Sequence, residues 1–214
     1  TPHGVPPFDK ILPEHFMPAF ERGMSLHEAE IDAITSNKDE ATFENTILAY
    51  DNAGQMLAQT ELVFGMLCAA ETNDRMQALQ EQAMPLLAAH RDKIRLDDKL
   101  FVRVKEVYDR RAALGLDAEQ MRLLQKTYDS FVRAGALLDA EQKARLKEIN
   151  GQLSLTAVKF GNNILAENNN FVLELKSDEL DGLPAGIRDA AREKAQQMGK
   201  GDKWVFTLHK PSLI

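Results

Sequence analysis

Apolar positions recur along most of the chain at the spacings of a helix face. Phe20, Met24, His27, Ile31 and Ile34 stand 4, 3, 4 and 3 apart, which is one stripe of an α-helix. Pro13 suits a first helical turn, while Pro18 lies too deep for one regular helix starting there. A short turn is therefore expected before the main helix, or a kink within it. Thr42 opens a second helix with Asn45 as its capping partner, running on through TFENTILAYDNAGQMLAQTELVFGMLCAAE. Its stretch Leu62 to Ala70 is apolar nearly all round, predicting burial on several sides, and Gly54 and Gly65 inside it predict close backbone approach.

A third helix is expected over 74–94, carrying Met76, Leu79, Met84, Leu87 and Ile94 and bent or restarted near Pro85. A fourth covers 97–113, with Leu100, Phe101, Val104, Val107 and Tyr108 inward and Gly115 as its left-handed cap. The next two segments both begin Asp-Ala-Glu-Gln, at Asp117 and at Asp139. In each the Asp accepts from the amide three residues on and the Gln reaches back, a capping box used twice. The first of these helices buries Met121, Leu124, Tyr128 and Phe131, with Gly135 on the same line. The second, about 40 Å long at 1.5 Å per residue, carries Leu146, Ile149, Leu153, Ala157, Phe160 and Ile164. Joined at Gly135–Asp139, the two read as an antiparallel hairpin.

After Asn168-Asn169-Asn170 the period changes to two. Phe171, Leu173 and Leu175 read as a strand, as do Trp204, Phe206 and Leu208, with a helix from Pro184 to Met198 stopped by Gly199. The two strands are expected to pair around that helix. Residues 1–12, with Pro2, Pro6 and Pro7, form an extended arm docked through Val5, Phe8 and Ile11. These elements give a mainly α fold class: a bundle of long antiparallel helices with a small β element near the C-terminus. It is organised as an arm (1–12), a helical domain (13–166) and the start of a mixed strand/helix segment (167–214). The ending Pro211-Ser212-Leu213-Ile214, apolar and without a polar tail, is expected to be a cut inside a longer protein.

Composition narrows the partners. A net charge of −7 with pI about 5.3 disfavours nucleic acid or an anionic membrane, both of which need a basic face. No apolar run approaches the roughly 20 residues of a membrane span. Cys68 has no intramolecular partner and reads as a buried small residue. The residues contain no signal peptide, but the first is Thr1 rather than Met, which leaves room for a trimmed upstream segment, and both cytoplasmic and periplasmic locations stay open.

One short stretch raises a chemical question. Residues 27–31 read HEAEI, and the zinc motif H-E-x-x-H needs a second His at the fifth position to grip the ion from one helix face. That position is Ile31, which has no donor atom. No two of the five histidines (His3, His15, His27, His90 and His209) stand at i, i+4. His27 therefore reads as a half-buried helix histidine, and Glu28, Glu30 and Asp32, like Asp97 and Asp98, as solvated faces or helix starts. There is no phosphate loop and no G-x-S-x-G. The residues by themselves describe a helical domain with no catalytic, cofactor-binding or metal-binding side chain.

Several segments, in order, carry a resemblance: PPFDKILPEHFMPAFERGM, TFENTILAYDNAGQML, ETNDRMQAL, LFVRVKEVYDRRAALGLDAEQMRLL, ELDGLPAGIRDAAREKA and GDKWVFTL. Together they resemble the amino-terminal part of the thimet-oligopeptidase-like zinc metallopeptidases, in their peptidyl-dipeptidase branch. The resemblance implies a mostly helical, two-lobed parent with a deep channel, removing dipeptides from the free C-termini of oligopeptides. It implies zinc held by H-E-x-x-H and a downstream glutamate, all beyond residue 214. These 214 residues would then supply channel wall and lid, with a catalytic lobe and oligopeptide substrates as partners, and no family ligand maps onto them. The competing reading is a stand-alone helical binding or scaffold module.

Overall fold

A computed structural model describes residues 4–208 of the chain. The expectations for Pro2 and for Pro211 to Ile214 lie outside the described residues. The fold is mainly α, with one small antiparallel sheet. Two compact units divide it, Thr1–Val158 and Lys159–Ile214.

The first unit begins with a 3-10 turn at Pro13–His15, Pro13 in its first position, which runs directly into α1 (Phe16–Ser36). Pro18 thus falls in the first turn of α1, where a missing N–H costs nothing. Of the arm, Ile11 packs on the core while Val5 and Phe8 stay exposed, Phe8 opening a 3-10 segment, Phe8–Lys10.

Thr42 caps the next segment as expected. The Asn45 amide donates to Thr42 Oγ1 at 3.1 Å and the Thr42 amide donates to Asn45 Oδ1 at 2.8 Å. Beyond this cap the chain does not form one helix. A π-helical turn (Phe43–Leu48) continues as the short α2 (Ala49–Asn52), then Ala53 is extended and Gly54 adopts φ 75°, before α3 (Gln55–Ala70) starts afresh. Only glycine reaches that left-handed conformation without strain. Gly65, by contrast, has no atom within 4 Å of where a Cβ would sit, so the close approach expected there is absent. The close approach on α3 is made by Gly23 of α1, whose Cβ would lie 3.0 Å from Leu57 Cα. Nor is α3 buried all round: Leu57 and Phe64 are buried, but Leu62 is 66% and Met66 50% exposed. The apolar stretch presents two faces and only one finds cover.

α4 (Asp74–Arg95), capped by Asn73, passes through Pro85 without a restart. α5 (Asp98–Asp109), capped by Asp97, ends earlier than expected, its last residues winding into a 3-10 turn at Arg111–Ala113 before Gly115 at φ 64°. α6 (Ala118–Arg133) and α7 (Ala140–Asn170) both carry the expected capping box. In each, the Gln amide donates to the Asp carboxylate at 2.8 Å.

Burial separates into two apolar clusters. One joins Phe16 and Phe20 of α1, Leu57 and Phe64 of α3, and Met76, Ala83 and Leu87 of α4. The other joins Ile31 and Ile34 of α1, Phe43 and Ile47, Ile94 of α4, and the inward faces of α5 and α6 around Leu100, Val104, Leu124 and Phe131. A fully buried Phe or Leu stabilises by about 1.5–3 kcal/mol, so these two groups dominate the unit's stability.

α7 does not close the hairpin in the expected way. Lys143 pairs with the Asp98 carboxylate, Asn150 donates to Asp92 at 2.9 Å and Leu146 packs beside Gly135. Beyond Leu146 the expected buried stripe is open: Leu153 is 62% and Phe160 66% exposed, and Ile149, Ala157 and Ile164 are exposed too. A periodic apolar face specifies a helix but not what lies opposite it.

In the second unit β1 (Leu173–Leu175) pairs antiparallel with β2 (Trp204–Phe206), Glu174 opposite Val205. α8 (Ala185–Gln197) lies on β2, with Ala191, Ala195 and Val205 buried and the Arg192 guanidinium over the Trp204 ring. The strands are shorter than expected: Phe171 and Leu208 fall outside them and are exposed.

Candidate functional site

α1 brings His27 to the same level as His90 of α4, and the two rings meet with His90 Nε2 3.1 Å from His27 Nδ1. His90 lies on its helix between Leu87 and Ile94, so it interrupts an apolar stripe just as His27 does between Met24 and Ile31. Sequence spacing could not pair residues 63 positions apart. The signal available was that each stripe is broken once by the same side chain.

Glu28, the residue after His27, reaches α4 as well. Its Oε1 is 3.5 Å from His90 Nδ1 and its Oε2 is 2.8 Å from Lys93 Nζ. Hydrogen bonding to Lys93 holds the Glu28 carboxyl below its ordinary value of 4.5, so it is an anion. A proton on His90 Nδ1, towards the Glu28 carboxylate, leaves Nε2 to accept from His27 Nδ1–H, and the opposite tautomers reverse that bond; in either case the contact carries one proton. Glu30, two residues further along α1, accepts the Gly54 amide at 2.7 Å. A Cβ at Gly54 would sit 2.7 Å from His27 Nδ1, so only glycine lets the chain pass the imidazole there. Glu28 and Glu30 keep the solvent access expected of them but are also engaged, because α4 and the Gly54 break lie beside α1.

Burial pushes both histidines below their ordinary 6.5; the neighbouring His90 lowers His27 further, and Glu28 pushes His90 back up. The pair borders a cavity of about 480 Å³ that is also lined by Tyr50, Leu57, Glu61, Arg91 and Arg95. Its remaining lining residues are aliphatic or glycine, so it holds an oriented imidazole but no hydroxyl or thiol nucleophile of the Ser, Thr or Cys type.

HEAEI does not fit zinc. Ile31 is buried in the second cluster, and His27 Nδ1 is occupied by His90. Among the described residues no three His, Cys, Asp or Glu side chains converge on one point suited to a metal ion. His15 accepts the Leu12 amide and shapes the turn before α1, Asp97 is a cap, Asp98 pairs with Lys143, and Asp32 is exposed. Cys68 is half-buried beside the first cluster, and burial raises its thiol. His3 and His209 lie outside the described residues. No helix among the described residues is long and apolar enough to cross a membrane.

A second concavity, about 790 Å³, runs between the arm and α3, lined by Pro6, Ile11, Phe16, Met56, Leu62 and Met66. It is mostly apolar, and among the described residues the His15 ring is its one titratable side chain.

No family model matches the chain. It is 38% identical over 208 residues to a dipeptidyl carboxypeptidase of Escherichia coli, covering 97% of this chain and 30% of that protein. The corresponding protein of Salmonella typhimurium is 36% identical, again over 97% of this chain and over 31% of its own length. Oligopeptidase A of Escherichia coli is 24% identical over 100% of this chain and 32% of its own length. The chain spans about 30% of the length of these curated relatives.

Proposed function

We propose that this chain, a homologue of the dipeptidyl carboxypeptidases and more distantly of oligopeptidase A, is the non-catalytic amino-terminal helical part of a zinc peptidyl-dipeptidase. In this reading it forms wall and lid of a channel that admits oligopeptides, and the zinc centre and the water it activates belong to sequence outside these 214 residues. The observation that carries the reading is the match along 97% of the chain to a peptidase about three times as long. Two features support the division of labour. The one stretch that spells His-Glu has its fifth position sealed in a core, and its histidine holds α1 to α4. Leu62, Met66, Leu153 and Phe160 leave apolar surface open, as expected of a piece that meets further protein. Stiff capped helices exclude folded proteins by size, and their movement gates entry.

The test compares the 214-residue chain with the product of the complete reading frame. The longer protein is expected to hold one zinc and release C-terminal dipeptides from an unstructured oligopeptide, with activity lost to a chelator. The shorter chain is expected to hold no stoichiometric zinc and cleave nothing. A reading frame that ends near Ile214, or one without H-E-x-x-H downstream, overturns the proposal in favour of a stand-alone helical module.

A further inference from the structure

Three segments pass from one apolar cluster to the other at a common level. α1 gives Phe16 and Phe20 to the first and Ile31 and Ile34 to the second; α4 gives Met76, Ala83 and Leu87 to the first and Ile94 to the second. Phe43 and Ile47 before the break belong to the second, Leu57 and Phe64 after it to the first. At the crossing stand His27, His90 and Gly54. We infer that this polar seam is an acid-sensitive joint: protonating the imidazole pair breaks the contact of α1 with α4 at this level and loosens the chain at Gly54, while the apolar clusters on either side hold the two helices together.

The contact works with one proton between two nitrogens 3.1 Å apart. With both rings cationic it sets donor against donor and like charge against like charge, and the His90 side chain, 3% exposed, is weakly screened by solvent. The charged and titratable groups facing the pair are Glu28 and Glu30 from α1, Arg91, Lys93 and Arg95 from α4, Glu61 from α3 and Tyr50 from α2. The facing carboxylates favour the charged rings, Glu28 at 3.5 Å from His90 Nδ1 most directly, but burial outweighs them, and each is shared: Glu28 with Lys93, Glu61 with Arg91 at 3.8 Å, Glu30 with the Gly54 amide. Opening relieves the repulsion at the seam without exposing Phe20, Phe64, Leu124 or Phe131.

Linkage fixes the sign. Both histidines sit below 6.5 when folded, so the unfolded or opened chain binds more protons under that pH. The stability they contribute is complete above about pH 6.5 and is eroded as the pH falls from there towards their folded values.

Hydrogen exchange of the 214-residue chain, corrected for intrinsic rates, tests this at about pH 7.5 and about pH 5. Amides of 53–58 and 86–94 are expected to lose about tenfold or more protection at the lower pH, with those of 120–132 unchanged. His27→Gln combined with His90→Gln is expected to abolish the difference. Equal protection at both pH values, or loss spread evenly over 120–132, overturns the inference. Should the double variant not fold, the imidazole resonances of the wild-type chain decide. Two coupled titrations below 6.5 support the joint, and independent titration of both rings at or above 6.5 ends it.

Discussion

α6 and α7 start from the same four letters and the same cap, yet one is locked in a core and the other shows most of its apolar residues to solvent. The Gln120 and Gln142 amides both donate at 2.8 Å to the preceding Asp, so the local instruction is identical. The difference lies in what stands opposite. Phe131 of α6 packs with Tyr50 and Phe101, and Leu124 is sealed by the same cluster. On α7 cover ends near Leu146: Leu153 is 62% and Phe160 66% exposed. Capping and periodicity decide that a helix forms; burial is decided by elements distant in sequence.

The largest effect should separate the two helices directly. Phe131→Ala is expected to destabilise the chain by about 3–5 kcal/mol, because a fully enclosed ring leaves a cavity. Phe160→Ala, at 66% exposure, is expected to stay within about 0.5 kcal/mol. Urea unfolding measures both, and similar losses would erase the contrast. Next come the caps. Asp117→Ala removes an N-cap bond and should cost about 1 kcal/mol in the same unfolding transition. Asp139→Ala removes an equivalent bond, but from a helix tied to its unit only through its first turns. Its effect is expected as reduced helical circular dichroism with a smaller shift of the main transition. The smallest effect on stability carries the sharpest information about surface. Leu153→Glu with Phe160→Glu should leave the midpoint nearly unchanged while lowering the binding of an apolar dye and any self-association. Undiminished dye binding would place the open apolar surface elsewhere, with Leu62 and Met66 of α3 the next to test.

What the chain makes legible is its local chemistry. The caps at Thr42, Asp97, Asp117 and Asp139, the left-handed Gly115, the α6 stripe and the two pairing strands all arise from a few adjacent letters. What escapes is whatever depends on distant partners. Gly54 marks a close approach in the sequence, but that the helix breaks there, and that the imidazole of His27 and the carboxylate of Glu30 are what comes close, is not marked locally. His27 reads correctly as a half-buried helix histidine, but its partner 63 residues away has no local mark. The stripe of α7 reads as buried because periodicity reports amphipathic shape, and its open face is set by what surrounds it. Family resemblance is legible for a different reason: it rests on ordered segments along the whole chain, and the 38% identity to a dipeptidyl carboxypeptidase bears it out.

Arg103 of α5, another residue that interrupts an apolar stripe, is buried with its guanidinium donating to the carbonyls of Asn37 and Asp39 and to Asn45 Oδ1, at 3.0, 3.1 and 3.2 Å. The bend that leads from α1 into the π-helical turn is therefore shaped by a side chain 58 to 66 positions later. That bend is complete only once α5 is in place, so the exit of α1 is fixed by tertiary packing and not by its own residues alone. A lysine there would keep the charge and lose the planar fork that reaches several acceptors together, leaving the bend without its brace.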